Sequence, residues 1–391
     1  MYAPCEFKMD DNPAIVKFVS QKISKIRWKP NQSQYSQETD VFATGSWDDE
    51  DGKVCLWNLL SAEQRDIDMD DGSYDPAMRE PSLLCEIQHT GDVTDLEFIS
   101  ADHIVSSSST GTVTLYKHHL QSQTLGDSVS WKEIHKDAGG KGCPCTCLTT
   151  QRDDMIVTAG EDGCINVLNV AHRKPVRTID KANSCTINGI TFLKQQEVIT
   201  VDSSGQLKVF DLGHRSCDPV KTFALSGEQT PLQCVARHPT QHHIVATGAY
   251  DGVLSVWDLR QEKFPVTPLE AHSAAIWEVK FHPTNPDHLF TCSEDGSVWH
   301  WNASSVASLV TGTGAGSGGG SLFSQGMPAS GAGNVSITSP WLTLESGRQK
   351  LDVKSKLNLT LPINTVDIIS EVLLCGSDEE AVYAVDIPGI R

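Results

Sequence analysis

The chain has 391 residues, 39% of them hydrophobic and 21% charged. At roughly 100–200 residues per domain that length suggests two or three domains, unless the chain is an all-β barrel or propeller. Fifty acidic residues against 31 basic ones give a net charge of −19, a field that repels nucleic-acid phosphates and anionic lipid and so argues against either as a main partner. The apolar fraction and nine tryptophans argue against a wholly disordered chain.

The N-terminal MYAPCEFKMDDNPAIVKF carries acids and a proline where a secretory signal needs an apolar run, which predicts a soluble intracellular protein. AIVKFVSQK (14–22) reads as a strand belonging to no complete unit of its own. Lys17, Lys22, Lys25, Arg27 and Lys29 follow; without interleaved aromatics they read as a charged rim rather than an RNA site.

From there a single pattern recurs: an apolar-alternating run, a small-residue run, a turn ending in Gly, and a β-rich run closing on an aromatic plus Asp or Asn. Its copies lie at 25–58, 89–117, 143–169, 184–211, 231–260 and 272–302, with a degenerate seventh at 359–386. A further β-rich run follows most copies: LLCEIQH (83–89), SWKEIHK (130–136), PVRTID (175–180), PVKTFAL (219–225) and PVTPLEAH (265–272). For the sixth copy either SPWLTL (339–344) or KLDVKSKL (350–357) fits, and position favours the second. The seventh copy ends too soon to own such a strand, so residues 14–22 are expected to complete it from the other end of the chain and remove a free edge. Two insertions interrupt the array. Residues 60–82 are an acidic loop, and 303–340 form a Gly/Ser-rich stretch too poor in apolar residues to pack, hence expected to be disordered.

Asp162-Gly163, Asp251-Gly252 and Asp295-Gly296 are hairpin signals, and Trp257-Asp258 closes the fifth copy. On these motifs the chain resembles the WD-repeat β-propeller family. The resemblance implies an all-β fold, a single seven-bladed propeller over 1–391, with blades near 25–89, 89–136, 143–180, 184–225, 231–271 and 272–357, and a last one from 359–387 plus 14–22. In the sixth copy His272, Thr291, Asp295 and Trp301 match the family's hydrogen-bonded tetrad, a structural device because a buried indole N–H needs an acceptor.

Catalytic and cofactor motifs are absent from this pattern. The G-x-G spacing in TGTGAGSGG follows no strand leading into a helix, no G-x-S-x-G elbow occurs, and the pairs His118-His119 and His242-His243 read as turn residues rather than metal ligands. No catalytic, cofactor or metal residue is therefore expected, and the protein is read as a non-enzyme. Cys143, Cys145 and Cys147, spaced by two, are expected on one face of a strand as reduced thiols. The sequons at Asn31, Asn302, Asn334 and Asn358 are chance matches in an intracellular chain.

KFVSQKISKIRWKP followed by FATGSWDDE, together with the fifth and sixth copies and the late LLCGSDEEAVY, is similar to the small WD-repeat nucleoporins of the Y-shaped nuclear pore scaffold. The resemblance implies docking against a short-arm α-solenoid nucleoporin. It also implies support of pore assembly, mRNA export and protein transport at the nuclear envelope, and a kinetochore role in mitosis. Direct nucleic-acid contact and membrane insertion are not implied. Trp277 and Trp299 are candidate docking anchors, since Trp is enriched in interface hot spots; packing between blades is the other reading of both. The rival function is a substrate receptor of a cullin-type ubiquitin ligase, for which Trp257-Asp258-Leu259-Arg260 supplies a WD-x-R box with Arg260 as the contact, unless Arg260 only pairs with a nearby carboxylate.

Overall fold

The structure is a computed structural model, and it describes residues 8–9, 14–31, 40–59, 80–151, 154–224, 229–261, 267–270, 272–304, 339–342 and 351–390. Each sequence copy forms an antiparallel sheet with strands in chain order, from an inner strand to an outer one. Blade 1 comprises Ile23–Trp28, Val41–Ser46, Lys53–Asn58 and Ser82–Gln88. Blade 6 comprises Ile276–Phe281, His288–Ser293, Ser297–Asn302 and Asp352–Asn358. In blade 7 the strands Ile363–Ile369, Val372–Ser377 and Ala381–Asp386 are completed by Ile15–Phe18, which pairs antiparallel from Ile15 opposite Ala384 to Phe18 opposite Ala381. Each inner strand lies against the inner strands of both neighbouring blades, and Ile363–Ile369 meets Ile23–Trp28, closing a seven-bladed ring. Both chain ends meet in blade 7, as the incomplete seventh copy predicted.

The apolar residues form seven cores, one at each seam between blades. Phe42, Trp57 and Ile26 of blade 1 pack with Leu374 and Val382 of blade 7, and Ala43 and Leu56 pack with Leu96 and Ile104 of blade 2. Blade packing demands close approach. A Cβ added to Gly248 would stand 2.6 Å from Cγ2 of Ile276 in the next inner strand, so the small-residue run sets the spacing between sheets. The turn glycine Gly296 has φ +79°, and a Cβ there would meet the Leu359 carbonyl at 2.3 Å. That position requires glycine for both conformation and space.

Two expectations are corrected. The outer strand of blade 2 is Thr124–Trp131, so SWKEIHK belongs mostly to the passage into blade 3. Cys145 and Cys147 do not share a face, because a β-bulge separates them in the strand Cys145–Gln151. Cys145 packs at the seam with blade 2 and Cys147 at the seam with blade 4, as the extra residue of a bulge reverses the alternation. Blade 6 also gains a fifth strand, Lys8–Met9, parallel to Lys354–Ser355. SPWLTL is not a strand where described: Trp341 is fully buried, donates its N–H to the Pro286 carbonyl at 2.9 Å and stands edge-on to Phe281. Most of 60–82 and of 303–340 falls outside the described residues.

Candidate interaction surface

In blade 6 the tetrad residues meet. His272 Nε2 lies 2.7 Å from the Thr291 hydroxyl, which accepts the Trp301 indole N–H at 3.0 Å. Ser297 joins them: its hydroxyl donates to Asp295 at 2.6 Å, accepts the Trp299 N–H at 2.8 Å, and lies 2.9 Å from His272 Nδ1. One hydroxyl proton serves one acceptor, so His272 satisfies the network with its proton on Nδ1 and Nε2 accepting from Thr291. Burial pushes the Asp295 carboxyl upward, but the His272 and Ser297 hydrogen bonds outweigh it and hold the carboxyl well below its usual range. Blade 3 carries an equivalent that spacing concealed: His135 binds Asp162 and Thr158, each at 2.9 Å, with Leu168 where the Trp would stand. Four more residues separate His135 from its partners than separate His272 from its own. Trp57 and Trp257 donate to Thr44 and Thr247 at 2.9 and 2.8 Å.

All seven inner strands carry a bulge between their first and third residues. The intervening second residues are Ser24, Thr94, Thr146, Asn188, Gln233, Trp277 and Asn364, and four of them latch the ring. Thr94 donates to the Cys145 carbonyl, Thr146 to Ile187, Asn188 to Leu232 and Asn364 to Ile23, each in the next blade.

Carboxylates at the third and fifth positions do the complementary work. An inner strand is an edge whose outward N–H groups need acceptors. Asp95 accepts from Leu148 N, Glu97 from Thr150 N, Glu278 from Val366 N and Asp367 from Trp28 N. Arg27, 7% exposed, crosses the channel to Glu278 at 2.5 Å and to Asp95 at 3.4 Å. Burial alone would raise the Glu278 carboxyl, yet Arg27, Lys25 and Lys280 hold it far below its ordinary value. The opposite wall of this cavity of about 240 Å³ carries no carboxylate and includes the small residues Gly189, Cys234 and Ala236, with Arg237 its one charged group. The expected basic rim is thus corrected in part: Lys25 and Arg27 face acids across the channel, while Lys17 pairs with Glu80 and Lys22 with Asp48.

The three candidate contact residues separate. Trp299 is 7% exposed and hydrogen-bonded inside the tetrad network, so it is not an exposed anchor. Trp277 is half-buried, occupies the second position of its inner strand and packs on the blade 6–blade 7 core. Arg260 is 57% exposed at its side chain, but Asp258 grips it with contacts of 2.7 to 3.1 Å. The channel acids leave no mark on the closing aromatics that define the copies; with the first inner-strand residues in register, a polar residue stands second in six strands and a charged one, Lys25, Asp95 or Glu278, stands third in three.

Among the described residues no three His, Cys, Asp or Glu side chains gather as a metal site, the eleven described cysteines are unbridged, and no helix is long and apolar enough to cross a membrane. The polar groups of the ring serve its closure and leave its outer surfaces for contact: the class is a seven-bladed WD-repeat β-propeller. The sequence pattern of the WD domain, G-beta repeat family matches residues 217–258 and 263–302, which run from the outer strand of blade 4, Lys221–Ala224, through blade 5 to the third strand of blade 6. The chain is 45% identical over 374 residues to nucleoporin Nup43 of Mus musculus and 43% identical over 383 residues to nucleoporin Nup43 of Homo sapiens, in each case covering 94% of this chain and 97% of the relative. The nuclear pore complex protein nup43 of Dictyostelium discoideum is 30% identical over 149 residues, covering 38% of this chain and 35% of the relative. The chain belongs to the Nup43 family of nucleoporins.

Proposed function

We propose that this propeller is a non-enzymatic scaffold subunit of the outer-ring Y-shaped complex of the nuclear pore, docked on a short-arm α-solenoid nucleoporin. In that place it supports pore assembly, mRNA export and protein transport, and it accompanies the complex to kinetochores in mitosis. The observation that carries the reading is identity of 43–45% spread over 94% of this chain and 97% of the two mammalian nucleoporins, far more than the repeat signature alone. A closed ring with its channel groups committed to internal bonds suits a rigid docking module.

The test is co-purification of the tagged full-length chain from growing cells. Recovery of an α-solenoid nucleoporin with the other outer-ring subunits is expected. Recovery of a cullin adaptor without nucleoporins, abolished by Arg260→Ala, would overturn the scaffold reading in favour of the ligase receptor.

A further inference from the structure

Ring closure leaves an unequal seam. The strand that completes blade 7 has four residues, Ile15–Phe18, whereas the outer strand of blade 1 beside it has seven, Ser82–Gln88. A hollow of about 320 Å³ opens between the two, lined by Val19 and Ser20 on one side and by blade 1 on the other. Its floor is apolar: Trp57 and Cys55, buried at 7% and 6% exposure, with Leu83 46% exposed at one side. Its rim is acidic, formed by Asp49, Asp51 and Glu86. Glu86 is matched by Lys53 at 2.9 Å. Asp49 and Asp51, both exposed, form no ion pair among the described residues, although Lys53 lies within electrostatic reach of Asp51; Gln21 donates to Asp49 at 3.0 Å and to the Asp51 carbonyl at 2.9 Å, fixing the rim to the start of blade 1 without neutralising it.

We propose that this hollow between blades 7 and 1 is the docking site for a partner nucleoporin segment carrying an Arg or Lys beside an aliphatic side chain. The aliphatic group covers Trp57 and Leu83, and the cation sits between Asp49 and Asp51. Charge complementarity selects the occupant: the hollow offers surplus carboxylate over an apolar floor, which repels acidic segments and steers basic ones. This assignment rests on the scaffold reading above and names the face that reading leaves open.

The experiment captures partners with the tagged full-length chain, comparing wild type, the double variant Asp49→Lys/Asp51→Lys, and Asp218→Lys on exposed blade 4 as a control. Thermal melting checks that each variant folds, and size exclusion of the purified chains checks self-association. The expected result is nucleoporin recovery by wild type and by Asp218→Lys, with at least about tenfold loss in the double variant at an unchanged melting temperature. Full recovery by the folded double variant overturns the docking site and leaves the scaffold reading standing. Absence of nucleoporins from the wild-type capture overturns the scaffold reading and this partner with it. A wild-type dimer that the double variant abolishes makes the occupant a second copy of this chain and also overturns the proposal.

Discussion

Arg27 is the residue on which the channel electrostatics turn. It is buried among carboxylates from two other blades, bonded to Glu278 and close to Asp95. Removing one partner of a buried pair leaves an uncompensated charge, at about 3–5 kcal/mol, whereas replacing both with apolar groups costs much less. Glu278→Gln should therefore destabilise the propeller by about 3 kcal/mol or more in denaturant unfolding. The pair Arg27→Met/Glu278→Leu should recover part of that loss, and a double variant as unstable as the sum of the singles would contradict the pairing. Glu97 tests the same ring by pH. Burial, with Asp95 nearby, pushes its carboxyl from 4.5 up to about 7. Between those values the folded chain holds a proton that the unfolded chain has released, so this group's contribution to stability falls as pH rises through the window and levels off above it. Glu97→Gln should raise the melting temperature relative to wild type more at pH 8 than at pH 5; an equal shift at both would show that Glu97 is not held protonated.

At the scale of elements, the bulge that opens each inner strand explains why part of the molecule was legible and part was not. Copies that end on Trp57, Trp257 and Trp301 showed the blades, because a closing aromatic, a Gly turn and period-two alternation are local consequences of a packed hairpin. The vacancy filled by Ile15–Phe18 was legible by subtraction, since an unpaired edge in a ring must be closed. The latches were not: Thr94 or Asn364 reads as an ordinary surface residue until a bulge turns it toward the next blade, and Asp95 or Glu278 meets its partner only through ring geometry. His135 stayed hidden because the run holding it resembled an outer strand. The closing strand also makes a prediction. A chain lacking residues 1–18 exposes the free edge of Ala381–Asp386 and uncovers Ile15's share of the blade 7–blade 1 core, so it should melt at a lower temperature and associate with itself in size exclusion. A monomer with unchanged melting would contradict closure by the N-terminus.

For the molecule as a whole, stability is distributed over seven seam cores and a ring of latches, so the propeller behaves as one closed body rather than the several domains its length suggests. Its net charge of −19 repels polyanions, which favours protein partners over nucleic acid. Membership of the Nup43 family and the acidic seam between blades 7 and 1 lead to the same expectation, a scaffold subunit held at the pore by a basic, partly apolar surface. The most direct measurement is fluorescence imaging of the tagged full-length chain in living interphase cells, co-stained for a scaffold nucleoporin. The account predicts a punctate nuclear rim coincident with that marker, and a diffuse cytoplasmic or nucleoplasmic signal that avoids the rim would contradict it.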